Sequence, residues 1–229
     1  MKINFTNITN LLYTGLVQVI NRGTAEILEN GEKGIFLRDT VSNVYMLAAK
    51  ETEIGINWIE KHEHRNYELL NVFDEKLFRY IKEQYQFNHE LICYQAIFLH
   101  NEIPSFDKKL IIKPAIIEDI DFIFQHYSML NKNELIKMVE GNNLYVGYEN
   151  NQIVGFIGQH LEGSMGVLEI LPEYRNKGYG TTLETFMIHE MKMNDMIPFC
   201  QVEVDNEKSL MLQKKLGMHI SKEKVYWVF

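Results

Sequence analysis

The side chains of this chain best placed to do chemistry together lie in one short run: Ile170-Leu171-Pro172-Glu173-Tyr174-Arg175-Asn176-Lys177-Gly178-Tyr179-Gly180-Thr181-Thr182. An apolar stretch passes there through a charged, glycine-bearing turn into an amphipathic segment. Gly178 and Gly180 let the main chain approach a ligand closely. The first N–H groups of a helix have no partner within it and sit at its positive end. Arg175 and Lys177 add positive charge, and Thr181 and Thr182 add hydroxyls. Together these groups suit a pyrophosphate. Two glycines one residue apart also occur in ordinary turns, so the meaning of the loop depends on its surroundings.

Acid–base groups are sparser. Glu169 interrupts Met165-Gly166-Val167-Leu168-Glu169-Ile170-Leu171, which otherwise reads as a strand buried on both faces, where an unpaired carboxylate is costly. It is a candidate base, with a strand-end ion pair as the competing role. Glu203 is the second candidate, beside Gln201 on the polar face of an alternating strand, where a solvated surface is the simpler explanation. His62-Glu63-His64 sets two histidines at alternate positions without a third or fourth ligand, so no metal site is expected. Neither a nucleophile elbow nor a P-loop occurs, which leaves serine hydrolase and NTPase chemistry unsupported.

The elements that must position these groups alternate between helix and strand. Pro104 and Pro114 bracket Ser105-Phe106-Asp107-Lys108-Lys109, a linker composition that places a boundary near residue 108. Two domains are expected, 1–108 and 109–229. In the second, 110–112 reads as a strand and 114–129 as a helix, followed by a helix over 133–139. Strands are predicted at 143–148 and 152–159, joined tightly through Glu149-Asn150-Asn151. Another strand follows at 165–171. Leu183, Met187 and Met191 then recur at four-residue spacing through a helix over 179–193. A strand begins after Pro198, Asn206 opens a helix that Gly217 ends, and 225–229 closes the chain as a strand. These alternations make a three-layer α/β domain with a mixed sheet.

The first 104 residues repeat the order hairpin, strand, helix, strand more faintly, at 34–38 and 43–47, 69–73, 75–85 and 91–99. A diverged internal duplication and an unrelated helper domain both account for this.

With that context the loop resembles the Arg/Gln-x-x-Gly-x-Gly/Ala signature of the GNAT superfamily of CoA-dependent N-acetyltransferases, with Arg175, Gly178 and Gly180 at its fixed positions. Asn206-Glu207-Lys208-Ser209-Leu210-Met211-Leu212-Gln213-Lys214-Lys215-Leu216-Gly217-Met218 is similar to the family's second signature. The resemblance covers roughly 109–229, and the Trp-bearing last strand is similar to the glycine-N-acyltransferase-like branch.

This resemblance implies a GNAT-like fold preceded by a smaller α/β domain, with acetyl-CoA as donor and the primary amine of a small molecule as acceptor, attacked directly in a ternary complex. It implies CoA contacts from Leu168, Ile170, Leu171, Arg175, Asn176, Lys177, Gly178, Tyr179, Gly180, Thr181, Asn206 and Ser209. Two positions depart from the family pattern. Ser164 stands where several relatives hold a glutamate base, and Gln213 where many hold a tyrosine that protonates the CoA thiolate. Tyr179 and Tyr226 are the candidate substitutes. These departures motivate the rival reading, a non-catalytic acyl-CoA-binding or regulatory module. The first domain has Asn71-Val72-Phe73-Asp74-Glu75 where a phosphate loop would lie, so it reads as degenerate and is not expected to bind CoA.

Composition narrows the partners. The 229 residues are 46% hydrophobic and 24% charged, an ordinary globular balance, with a formal charge of -8. Neither half is basic, which argues against nucleic acid or an anionic membrane as partner. Cys93 and Cys200 read as small buried thiols. Without a signal-like leader or an 18-residue apolar run, a cytoplasmic location is expected and Asn7-Ile8-Thr9 reads as a chance glycosylation match. Homo-oligomer assembly is left open.

Overall fold

The computed structural model describes residues 11–105 and 110–229. The expected boundary near residue 108 and the Asn7-Ile8-Thr9 match lie outside the described residues. Eleven strands, mixed parallel and antiparallel, and seven α-helices are seen among the described residues. The chain divides into two compact units, and the division is not consecutive. Of the described residues, one unit holds 11–96, 201–207 and 220–229, the other 97–105, 110–200 and 208–219.

In the first unit, β1 (Ala25–Gly31), β2 (Gly34–Asp39) and β3 (Tyr45–Ala49) form an antiparallel meander. The chain then crosses through α2 (Thr52–Lys61) to β4 (Leu70–Val72), which lies parallel to β3. The final strand β11 (His219–Val228) pairs antiparallel with β4 and separates it from β5 (Glu90–Ile97). Alternation along β2 sorts the core. Phe36 packs with Ile59 of α2 and with Leu77 of α3 (Glu75–Gln84). Ile35 and Leu37 face the other way, onto Leu16 and Val19 of α1 (Thr14–Asn21). Period-2 alternation thus covers both sheet faces with helices.

In the second unit, β6 (Ile111–Pro114), β7 (Leu144–Glu149), β8 (Gln152–Gln159) and β9 (Met165–Ile170) are successively antiparallel. Beyond β9 lies β10 (Phe199–Glu203), parallel to it. The β7–β8 turn has Asn150 at φ 49° and Asn151 at φ 64°, the double positive φ of a two-residue hairpin loop, which asparagine tolerates. Leu144, Val146 and Phe156 pack on Ile120 and Ile123 of α4 (Ile120–His126) and on Leu135 and Met138 of α5 (Lys132–Glu140). Tyr145 faces the other layer, meeting Phe186 of α6 (Tyr179–Met193) edge-on with ring centroids 4.9 Å apart. Leu183, Met187, Ile188 and Met191 form the buried face of α6, each removing about 2 kcal/mol of apolar surface from water.

The helix expected over 114–129 is shorter. Pro114 is still paired with Tyr145 in β6, a strand at the sheet's edge, where a missing N–H is tolerated. The Asp119 carboxylate accepts the Ile116 N–H at 2.9 Å, and α4 starts only after that turn.

Candidate active site

Sequence dictates the shape of the glycine turn. After β9 ends at Ile170, Pro172–Tyr174 forms a single 3-10 turn and Arg175 is extended. Asn176 then takes φ 63° and Gly178 φ 87°, both left-handed, so the chain reverses within three residues and Gly178 becomes the N-cap of α6. Its N-cap, a glycine, has no side chain with which to cap the helix. A Cβ built on Gly178 would meet nothing within 4 Å, so the space before the helix is open. At Gly180 a Cβ would lie 3.8 Å from Ile170 Cγ1 and Leu212 Cδ2, ordinary contact that tolerates alanine. Of the two glycines, Gly178 is the one that the backbone requires.

The cations of the loop divide their work. Lys177 Nζ sits 4.9 Å from the centre of the Tyr174 ring. Arg175 turns back onto β9: its Nε donates to Ile170 O at 2.9 Å and its guanidinium pairs with Glu169 at 2.8 Å. A third cation was not singled out from the sequence. Lys215 Nζ, in the last turn of α7 (Glu207–Lys215), donates to Thr181 Oγ1 at 3.2 Å. Its signal was helical periodicity, which carries Lys215 to the end of the helix that Asn206 opens.

Two premises about Glu169 change. β9 is only half-buried from Leu168 to Ile170, and the Glu169 side chain keeps 27% of its surface exposed. Its carboxylate is paired with Arg175, the competing role carried by the sequence. Leu171 is buried, and its N–H donates to Val154 O at 3.0 Å.

β9 itself is irregular where chemistry would need it. Against β8 the register runs Phe156↔Glu169 and then Gly158↔Gly166, so β9 carries one extra residue. Val167 there takes φ 52°, a conformation that a β-branched residue rarely adopts. On the other side Met165↔Cys200 is the registered pair with β10. Parallel pairing thus stops at the first residue of β9.

The remaining expected residues fall in different places. Ser209 is half-buried near the start of α7 in the second unit, whereas exposed Glu203 and Asn206 belong to the first unit. The Asn206 N–H donates to Glu203 O at 3.0 Å. Gln201 accepts from Trp227 Nε1 at 2.6 Å and donates to Gln95 at 3.0 Å. Of the candidate acids, Tyr179 donates its hydroxyl to Glu149, and Tyr226 is buried in the first unit, stacked on Phe78. Ser164 Oγ donates to Glu162. His62 is engaged by Glu29 at 2.8 Å.

Gln213 has a partner that sequence reasoning missed. Its Nε2 donates to Glu184 Oε1 at 2.7 Å, with both residues buried. Burial pushes the Glu184 carboxyl up to about 7, with the Gln213 bond opposing the shift. The signal lay in the helix period, because Glu184 stands one turn before Ile188 on the buried side of α6.

Comparison with known proteins agrees with this architecture. The FR47-like protein family matches residues 144–228. Among solved structures, a Drosophila protein superposes with a TM-score of 0.67 at 14% identity, over 86% of this chain and 73% of the other. A putative GNAT-family acetyltransferase from Novosphingobium aromaticivorans gives 0.59 at 12% identity, over 95% and 94%. A GCN5-related N-acetyltransferase from Kribbella flavida gives 0.60 at 9% identity, over 100% and 95%. No curated protein matches by sequence. The C-terminal region has a GNAT-like fold, and the structural likeness extends through the N-terminal part. Among the described residues no helix is long and apolar enough to cross a membrane.

Proposed function

We propose that this GNAT-like, acetyltransferase-like protein is a CoA-dependent N-acyltransferase that moves an acetyl group from acetyl-CoA to the primary amine of a small molecule. The observation that carries this reading is the turn at Gly178: a left-handed N-cap without a side chain, with open space where a Cβ would stand, leading into a long helix. Such an end offers N–H donors and the positive pole of a 15-residue helix to a diphosphate. Lys177 and Lys215 reinforce it in an acidic chain. The residues present therefore fit the donor, with Asn176, Gly178, Tyr179, Gly180 and Thr181 cradling its diphosphate by main chain. Leu168, Ile170 and Leu171 would offer backbone to its pantetheine arm, where β9 has lost its parallel partner. Arg175 would act by holding β9 to the loop, and Asn206 and Ser209 would lie further along the donor. Residues 1–108 are assigned a supporting role that does not bind the donor.

Acyl transfer to an amine needs a neutral nucleophile, a polarised carbonyl and an exit for the thiolate. A free thiol has a reference pKa near ~8.5, so the thiolate leaves with solvent help even with glutamine at position 213. The net charge of -8 favours a cationic amine over an anionic one. The test is acetyl-CoA with a panel of amines, following release of the CoA thiol. Release that requires the amine supports the enzyme. Tight CoA binding without amine-dependent release across the panel supports the binding module instead.

A further inference from the structure

The hairpin end between β8 and β9, residues 160–164, is held by its own backbone. His160 N–H donates to Ser164 O, and Gly163 N–H to His160 O, each at 2.8 Å. The buried Gln159 side chain donates to Gly163 O at 2.9 Å. His160 is thereby fixed at its Cα, and its half-buried ring lies across Gly166. A Cβ built on Gly166 would fall 2.2 Å from His160 Nε2 and 2.5 Å from Cδ2. Gly166 has no positive φ, so its backbone does not call for glycine. What its missing side chain provides is room for an imidazole. That ring hydrogen-bonds to no other group among the described residues.

The place where the ring is held matters. Gly166 follows Met165, the β9 residue registered with β10, and precedes Val167 at the bulge. The imidazole thus stands where the two parallel strands part. The carboxylates suggested by the sequence are less suited to be bases: Glu169 is paired with Arg175, and Glu203 is exposed. Glu162 adds a negative charge to the same hairpin end, held by Ser164 Oγ, which suits a loop that receives an ammonium group.

We propose that His160 is the general base of the acyl transfer, an inference that rests on the acyltransferase reading above. A ring nitrogen of His160 takes a proton from the docked ammonium, the neutral amine nitrogen then forms a bond to the thioester carbonyl carbon, and the second proton that nitrogen sheds goes to solvent. The C–S bond breaks, its electron pair leaving with the CoA thiolate. The proton on the imidazole passes to solvent.

The experiment compares the wild-type protein with His160→Gln and His160→Ala. In both variants amine-dependent kcat should fall by about 100-fold or more, while CoA affinity measured by calorimetry and KM for acetyl-CoA stay within about twofold. Imidazole added to His160→Ala should restore release that still requires the amine, an effect that a packing role would not produce. Gly166→Ala should lower kcat with CoA affinity unchanged, because its Cβ displaces the ring. Undiminished turnover in His160→Gln, or no rescue by imidazole, overturns the assignment while leaving the acyltransferase reading intact. A wild-type protein that binds CoA but releases none with any amine overturns both.

Discussion

Glu184 and Gln213 form a buried carboxyl–amide pair, 2.7 Å between Oε1 and Nε2, linking α6 to α7. The remaining oxygens, the carboxyl's Glu184 Oε2 and the amide's Gln213 Oε1, are buried and have no hydrogen-bond partner among the described residues. Two orphaned acceptors are costly, and a proton on Glu184 removes one of them as an acceptor and lowers the cost of burial. The carboxyl is raised from 4.5 to about 7, so between those values the folded state keeps a proton that the unfolded state loses. Stability from the neutral acid is complete below pH 4.5 and is lost as pH rises to about 7. At about 1.4 kcal/mol per pH unit, the loss is about 3–4 kcal/mol. Glu184→Gln cannot ionise. Urea midpoints measured from pH 4.5 to 8 should therefore fall more in the wild type than in the variant, which should be the more stable at pH 8. Parallel profiles would show that Glu184 is ionised in the fold.

Gly178→Asp places a negative charge where the diphosphate would sit. The position has room for a side chain, with nothing within 4 Å of its Cβ, and aspartate tolerates left-handed φ better than most residues. The fold should survive at a cost of about 1 kcal/mol, while CoA affinity drops by at least about tenfold, or ~1.4 kcal/mol. Calorimetric titration of a variant with a wild-type-like melting curve is the measurement. Unchanged affinity would remove the loop from the donor site.

Much of the fold was legible because periodic burial dominates its central elements. The helix over 179–193 and the strand over 152–159 have the limits that their patterns suggest. The elements at the margins were not legible. β1, Ala25-Glu26-Ile27-Leu28-Glu29-Asn30-Gly31, is an edge strand carrying two acids, and its partly exposed side chains show no clean alternation. β11 begins at His219, six residues before its apolar end, because exposed Lys222-Glu223-Lys224 can ride on a strand without any hydrophobic signal. The loop glycines showed where an anion could sit. Contacts across sequence were hidden, since nothing in either segment tells that Glu184 will meet Gln213, or that the space over Gly166 will be filled from residue 160.

Glu169 and Arg175 offer a separable test of the carboxylates. Their pair is more than a quarter exposed on both sides, so its direct worth to stability is below about 1 kcal/mol. Glu169→Gln retains an oxygen for Arg175 and should leave amine-dependent kcat within about threefold. Arg175→Ala also removes the bond to Ile170 O and should weaken CoA binding through the loosened loop. Glu203→Gln, at an exposed position, should leave both quantities unchanged. A hundredfold loss of kcat in either glutamate variant would make that carboxylate the base in place of His160.

The bulge in β9 depends on how closely β8 approaches it. At Gly155 a built Cβ would lie 2.3 Å from Glu169 O and 2.8 Å from Ile170 Cδ1. The carbonyl belongs to the backbone and cannot rotate away as a side chain would, so Gly155→Ala must push the two strands apart. Overpacking of this kind costs about 1–3 kcal/mol, which should appear as a lower urea midpoint with an unchanged m-value. The displaced segment also carries Glu169 and the carbonyl that anchors Arg175, so CoA affinity should fall with stability, although Gly155 lies in β8 rather than in the loop. At Gly147 the nearest atom to a built Cβ is the Leu183 side chain, at 3.1 Å. Gly147→Ala can yield by side-chain motion and should spare CoA affinity. Equal losses of affinity in the two variants would show that general instability, not the position of β9, governs donor binding.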